Sequence, residues 1–364
     1  MAHTAQDRYS ELVLAKLRAE LVLADGFVFN NDYEGDPKAG AVKVPTRDTE
    51  VTVSSYDKAN GISPTEGSTT YTTLVIDKDK AVNEIIDGYD AASVPDGLVA
   101  DRLDSAGYSL ARQIDTDGAT TLLGGATVMN VASLTKDNIY SNIVDIRTAM
   151  SKANVPDDGK RYLLVTPDTF ALILKSPEFI SASDLGDAVK QQGILGKIAG
   201  FLVKEWNDST ANLAMIAGHP RYATRVHEWS VGVHIQDLAE SGKYIGACSV
   251  QGRRVYGHKV LRSAAIRSVF APGSLTVTLA ASDAGKTVAT VTAGNTGTTY
   301  AYKKNPASRV AYGTTSTAYA GTSLTSGTTK ISVSEGDVLE IVNINDSAVV
   351  AVAYVTVAAA DIGS

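Results

Sequence analysis

Cysteine occurs once in the 364 residues, at position 248, so no intramolecular disulfide is available and packing must hold the fold. Basic residues are outnumbered, 33 against 40 acidic, for a net charge of −7. A general nucleic-acid binder would carry the opposite sign. No uncharged apolar run approaches the roughly 20 residues of a membrane span. The opening MAHTAQDRYSELVLAKLRAELVL carries charges through its apolar part and has no signal-peptide core. These absences leave a soluble, unprocessed intracellular product as the expectation. Hydrophobic residues at 44% and charged residues at 20% suit a globular chain, and the length suffices for two or three domains, each with a core.

Motifs for chemistry are equally scarce. The stretch GILGKIAGFLVKEW (193–206) has the glycines and lysine of a phosphate loop, but Gly196-Lys197 is followed by Ile198 instead of Ser or Thr. A GxxG clamp from Gly193 to Gly196 would need basic neighbours, and only Lys190 and Lys197 are near. The glycines read instead as tight turns before a strand. Of His3, His219, His227, His234 and His258, only His227 and His234 could share a face, and no carboxylate or cysteine joins them at metal-ligand spacing. Cys248 lies in a strand pattern, as a small packed thiol would. Asp157-Asp158 and Asp115/Asp117 read as turn and helix-end residues that cap or are solvated. Arg253-Arg254 reads as a solvated pair at a hairpin turn. There is no G-x-S-x-G and no H-E-x-x-H. No catalytic, cofactor-binding or metal-binding residue is assigned, and no cofactor: the chain does not read as an enzyme.

Along the chain, Leu14, Leu17 and Leu21 predict a helix over 9–25, packed on its own domain or docked on a partner. From 41 to 80, AVKVP, TEVTVSSY and TTYTTLVIDKD alternate like strands around a flexible tip, KANGISPTEGS. Folded as one hairpin, arms of roughly 18 residues would extend about 60 Å, against a radius of gyration of about 18 Å for the N-terminal body. Such a hairpin folds back repeatedly or reaches a neighbour. Pro95 opens a long helix to about Asp117, with Val99, Leu103, Ala106, Leu110 and Ile114 as its stripe and Gly107 permitting close approach. Thr135 caps a second helix lined by Ile139, Ile143, Ile146 and Met150; RYLLVTP is a buried strand; Thr166 and Pro167 start another helix. KYIGACSVQGRRVYGHKVLRSAAIRSVF reads as long strands with a turn near Arg253. After Ala271-Pro272-Gly273 the composition shifts to Thr, Ala, Val and Gly, and seven short alternating runs, among them SLTVTLA, KTVATVT and VVAVAYVTV, indicate a small β-sandwich.

The order of these pieces resembles the major capsid protein of tailed bacteriophages, the Hong Kong 97-type fold, shared with encapsulin shells and the herpesvirus capsid floor. The resemblance covers roughly residues 1–270 and rests on LVIDKDKAVNEIID, LVADRLDSAGYSLARQID, YLLVTPDTFALILKSPEF, GILGKIAGFLVKEW and VYGHKVLRSAAIR. It implies an α+β fold: an N-terminal arm (1–40), an extended loop (41–80) lying across a neighbouring subunit, and peripheral and apical domains (81–270). These include a spine helix (95–118) and residues 243–268 closing the peripheral domain. Gly193, Gly196 and Gly200 become corners of the apical domain. Residues 271–364 look like an appended immunoglobulin-like domain. The implied function is the icosahedral head of a double-stranded DNA phage, in the virion, assembled in the host cytoplasm. The implied partners are hexamers and pentamers of this chain, a separately encoded scaffolding protein, a portal, and DNA without sequence-specific contacts. Weak host-surface or glycan binding by the C-terminal domain is set against a bracing role. Lys58 lies near the loop tip, where relatives carry a crosslinking lysine, but no crosslink is expected. An encapsulin-like shell and a surface adhesin are the alternative readings.

Overall fold

The computed structural model describes residues 18–33, 40–46, 51–63, 66, 69–93, 98–177, 196–238, 242–292 and 299–363, apart from 19, 24 and 52. Most of the helix expected over 9–25, the Pro95 start expected for the long helix, and Gly193 lie outside these residues. The chain divides into two compact units, 1–125 with 219–263 and 126–218 with 264–364.

The first unit is a three-stranded antiparallel sheet backed by one long helix. Its strands β3 (Lys78–Ile86), β9 (Ala223–Asp237) and β10 (Cys248–Val260) lie in the order β3-β10-β9. Strand β3 alternates along KDKAVNEII, exposing Asp79, Ala81, Asn83 and Ile85 and burying Ile86. On the inner face Ile86, Val250 and Ala106 form one core cluster with Val82, Leu103, Val99 and Val233 packed against it. A short helix, α1 (Gly88–Ser93), precedes the long one, α2 (Leu98–Gly125). Leu110 and Ile114 continue the expected stripe, but the helix passes Asp117 because Ala119 and Leu122 extend that buried face to its end. Gly107 has no neighbour within contact of a would-be Cβ; close approach occurs instead at Gly252 of β10, where a Cβ would lie 2.9 Å from Val233 Cγ2 of β9 and 3.0 Å from Leu110 Cδ1 of α2.

That same glycine explains a misread turn. Strand β10 runs through Gly252-Arg253-Arg254 without reversing, and β9 carries a bulge there, with Gln251 opposite His234 and Arg253 opposite Val231. The missing Cβ serves packing against α2, not a hairpin.

The expected extended hairpin has a base: β1 (Ala41–Thr46) pairs antiparallel with β2 (Thr70–Val75), from Ala41 opposite Val75 to Thr46 opposite Thr70. Val44 and Leu74 are buried there. Beyond the base, residues 51 and 53–56 of TEVTVSSY form no strand, although their alternation predicts one. The N-terminal segment also departs from expectation. Residues 20–23 are not helical; Val22 and Leu23 are buried, and the Leu23 N–H donates to Asp115 on α2 at 3.3 Å.

The second unit contains a six-stranded sheet of β4 (Thr127–Asn130), β5 (Tyr162–Val165), β6 (Lys197–Ile198), β7 (Phe201–Glu205), β8 (Leu213–Gly218) and β11 (Arg267–Phe270), ordered β4-β11-β8-β5-β7-β6. Helix α3 (Ile139–Lys152) buries the four expected residues, Ile139, Ile143, Ile146 and Met150. It starts at Asn138, one turn after Thr135, whose carbonyl accepts the Asn138 and Ile139 N–H groups. Its end is held by buried Arg161, which donates to the carbonyls of Pro156 and Val155 and to Ser151. Helix α4 (Pro167–Leu174) has Thr166 as N-cap, as its sequence predicts.

The C-terminal residues form two sheets. One holds β12 (Gly273–Ser274), β15 (Thr299–Lys304), β16 (Thr322–Leu324), β18 (Val338–Asn345) and β19 (Ala348–Thr356), ordered β12-β19-β18-β15-β16; the other is β13 (Val277–Ala281), β14 (Lys286–Val291) and β17 (Lys330–Ser332). Ala289, Ile331, Leu339, Ile341 and Leu324 share a core drawn from both sheets. A one-turn helix, α5 (Ser316–Tyr319), lies between β15 and β16. The Ala271-Pro272-Gly273 connection is packed: the Ala271 N–H donates to the Asn212 carbonyl at 3.0 Å, and Phe270 stacks on Tyr312.

Candidate functional site

The most heavily bonded polar cluster lies in the first unit, around Arg225 of β9. The guanidinium is 5% exposed. Its Nε donates to His258 Nε2 (2.9 Å) and its Nη1 to Asp25 (2.9 Å); Asp115 lies 3.8 Å away, and the group stacks over Phe29. His227 Nε2 lies 3.5 Å from Asp25. Tyr256 donates to Asp117 at 2.7 Å. These contacts join the 20–31 segment, α2 and the sheet, and backbone bonds add to them: Asn30 N–H to Ala223 O and Arg225 N–H to Asn30 O, both 2.9 Å.

Electrostatics follow from this burial. For Asp25, burial opposes ionisation, but hydrogen bonds with His227 and Asn31 and the Arg225 charge outweigh it and hold the carboxyl at about 2. Burial, with Arg225 and His227 nearby, pushes His258 down to about 3. Burial raises Asp115. A neutral imidazole accepting from a guanidinium, between the rings of Phe29 and Tyr256, is a joint and not a proton shuttle.

Nothing in the sequence marks this cluster, because its members are scattered along the chain. Asp115 and Asp117 were expected at a helix end; because α2 continues to Gly125, they sit mid-helix and bond outward to Leu23 and Tyr256. Arg253, expected at a solvated turn, bonds Asp79 across the strands and lies over Trp229. His234 is exposed and stays apart from His227. His219 accepts from the Arg221 N–H (3.2 Å), Asp157 pairs with Arg147, and Cys248 is half-buried. Ile198 and Phe201 close a two-residue hairpin whose central residues, Ala199 and Gly200, have φ of 45° and 86°. That pair of positive angles marks a primed turn, so Gly200 is a corner as expected. Among the described residues no group of three His, Cys, Asp or Glu is placed to hold a metal ion.

Surface chemistry is more informative. Among the described residues, the exposed large apolar side chains are Val51, Val53, Tyr56, Ile62, Tyr71 and Val75 of the extended loop, Ile85, Tyr89, Trp229, Ile235 and Ile245 elsewhere in the first unit, and only Val128 and Val144 in the second. Val53 is 94% exposed. Isolated exposed apolar residues are ordinary, but a run of them along one hairpin marks an interaction surface. The base of this hairpin buries Val44 and Leu74, whereas the described residues 51, 53, 56 and 62 beyond it leave their apolar side chains exposed.

Residues 84–269 match the model of the phage capsid protein family, and the chain belongs to that family. It is a major capsid protein of the Hong Kong 97-type fold, a structural component of the virion shell. Similar solved structures include a Mycobacterium phage Che8 chain (24% identity, TM-score 0.62), with 73% of this chain and 96% of that chain covered. The capsid of cyanophage P-SCSP1u is alike at 14% identity and TM-score 0.62, covering 73% and 92%. The mature capsid of bacteriophage PhiM1 is alike at 14% identity and TM-score 0.56, again covering 73% and 92%. A sequence search of curated proteins finds no match.

Proposed function

We propose that this chain builds, as hexamers and pentamers, the icosahedral head of a tailed phage around double-stranded DNA. In this reading its loop lies on a neighbouring subunit and its C-terminal β domain faces outward. The role is structural, without catalysis. Assembly takes place in the host cytoplasm with a separately encoded scaffolding protein and a portal, and the DNA is packed without sequence-specific contacts.

The observation that carries this reading is the contrast in exposed apolar surface. Eleven of the thirteen large exposed apolar side chains just named belong to the first unit, and among the described residues of 272–363 there are none. Surfaces destined for burial between subunits are apolar, whereas a domain that stays in solvent is not. The β domain also carries six acidic and five basic residues, a balance unsuited to packing against DNA on the inner side. Its two sheets around one core suit an immunoglobulin-like sandwich. The structural neighbours leave uncovered a share of this chain about the size of residues 271–364, as an appended domain would. Repeated on every subunit, it would turn weak host-surface or glycan contacts into avidity; bracing of the shell is the simpler use.

Electron cryomicroscopy of shells from the full chain, co-expressed with its scaffold, tests the reading. Extra density outside each capsomer is expected. Density on the inner surface, or correct-sized shells from the chain alone, would count against the outward domain or the separate scaffold respectively.

A further inference from the structure

A cleft of about 710 Å³ opens in the second unit where three segments converge: the start of α4, the loop between β7 and β8, and the Ala271–Ser274 connection into the C-terminal sheets. Its walls are fixed by hydrogen bonds. On the loop, the Thr210 N–H donates to Asp208 at 2.8 Å, and Asn212 takes the left-handed conformation at φ of 62°. The Asn212 carbonyl accepts the Ala271 N–H, and a Cβ at Gly273 would lie 3.1 Å from Asn212 Oδ1, so the connection lies directly against the loop. Thr166, at the start of α4, donates both its N–H (3.1 Å) and its hydroxyl (3.2 Å) to the Ala214 carbonyl. The Tyr312 N–H donates to the Val131 carbonyl and Arg309 to the Ser133 hydroxyl, both at 3.0 Å, which ties the C-terminal sheets to the segment after β4. The cleft is built before any ligand arrives.

Its size and place suit a binding site: small-molecule pockets span about 300–1,000 Å³ and favour junctions between domains. The lining decides the class of ligand. It holds two carboxylates, Asp168 and Asp208, two amides, Asn207 and Asn212, and five Ser or Thr hydroxyls, with no Lys, Arg or His among the described residues. A phosphate, sulfate or carboxylate ligand would find two like charges there and no counter-charge. Carboxylate and amide oxygens are acceptors, so the cleft calls for a ligand dense in neutral O–H donors. Hydroxyl-to-carboxylate bonds are of the stronger, charge-assisted kind. Leu134 and Leu172 add apolar wall for the C–H faces of such a ligand.

We propose that this cleft binds a neutral saccharide, whose hydroxyls donate to Asp168, Asp208 and the neighbouring amides. The inference gives the glycan contact proposed above a place and a ligand class, and it rests on that reading only for its use on the virion.

Saturation-transfer NMR on the unassembled full chain tests it, with maltose, cellobiose, lactose and diacetylchitobiose as probes and a sulfated heparin disaccharide and spermidine as controls. At least one neutral disaccharide should bind with a dissociation constant of about 1–10 mM, more tightly than either control. Asn207→Trp fills the cleft from an exposed position and should keep the melting midpoint while lowering affinity about tenfold. Asp168→Asn/Asp208→Asn keeps an oxygen for the Thr210 N–H and should weaken binding about fivefold. Binding of none of the four sugars at about 20 mM, tighter binding of either control, or an unchanged affinity in either variant overturns the proposal. Sugar bound by free subunits but not by assembled particles would uphold the site and count against the outward-facing β domain, which keeps the two readings apart.

Discussion

Acidification should loosen the joint around Arg225, and the size of the effect follows from His258. Arg225 Nε donates to Nε2 of this ring, so that nitrogen is unprotonated in the folded chain. Burial first, then the charges of Arg225 and His227, depress the imidazole to about 3; the unfolded value is about 6.5. Between these limits the unfolded chain binds a proton that the folded chain refuses, so stability rises with pH. The contribution is fully present above about pH 6.5 and is lost as pH falls toward 3. At pH 4 the loss is about 3 kcal/mol. Asp25, held at about 2, adds its own loss only below its unfolded value of about 3.9, so the two windows barely overlap. Urea unfolding of unassembled subunits at pH 7, 6, 5 and 4 reads the effect. His258→Gln retains an oxygen acceptor for Arg225 but cannot titrate; its stability should change by about 3 kcal/mol less than wild type over this range. Parallel loss in both proteins would refute a buried neutral His258.

Gly200→Val forces a branched residue to φ of 86° in the hairpin turn and should cost about 1–3 kcal/mol, read as a lowered melting midpoint, while Ala199→Asn at φ of 45° should be neutral or stabilising. Glu340, 1% exposed, accepts the Val310 N–H at 3.2 Å and the Tyr354 hydroxyl at 2.7 Å; Glu340→Ala strands the Tyr354 hydroxyl proton, while the Val310 N–H keeps the Tyr354 oxygen at 3.0 Å, and should cost about 1–3 kcal/mol by urea titration, with Glu340→Gln milder. Lys58 sits in the exposed Asp57–Gly61 turn, and mature particles should run as single chains on denaturing gels; a ladder lost in Lys58→Arg would contradict this.

The sequence was most legible where a segment answers to its own chain. Helix α3 could be read residue by residue because Ile139, Ile143, Ile146 and Met150 repeat at helical spacing and all four are buried. Strand β5, the Thr166-Pro167 start of α4 and the Gly200 corner follow local rules of the same kind. Where a glycine serves a distant element, local reading fails. Gly252 suggests a turn beside two arginines, yet its role is set by Leu110, far away in sequence. The Arg225 joint was invisible for the same reason: Asp25, Asp115, Arg225 and His258 show no spacing pattern, because what unites them is the pairing of β9 with β10 and their packing on α2.

The loop presents the opposite case, a pattern with no structure to match. TEVTVSSY alternates as a strand should, and Val51 and Val53, two apart, point the same way along any extended chain. The described residues of this segment, 51 and 53–56, form no strand, and both valines are exposed. Alternation records which face is to be buried, and it says nothing about which molecule supplies the cover. For an isolated globular protein the two questions have one answer. For a subunit of a shell the two can separate, because another copy can supply the cover. The folding unit that satisfies all of this sequence is therefore larger than one chain.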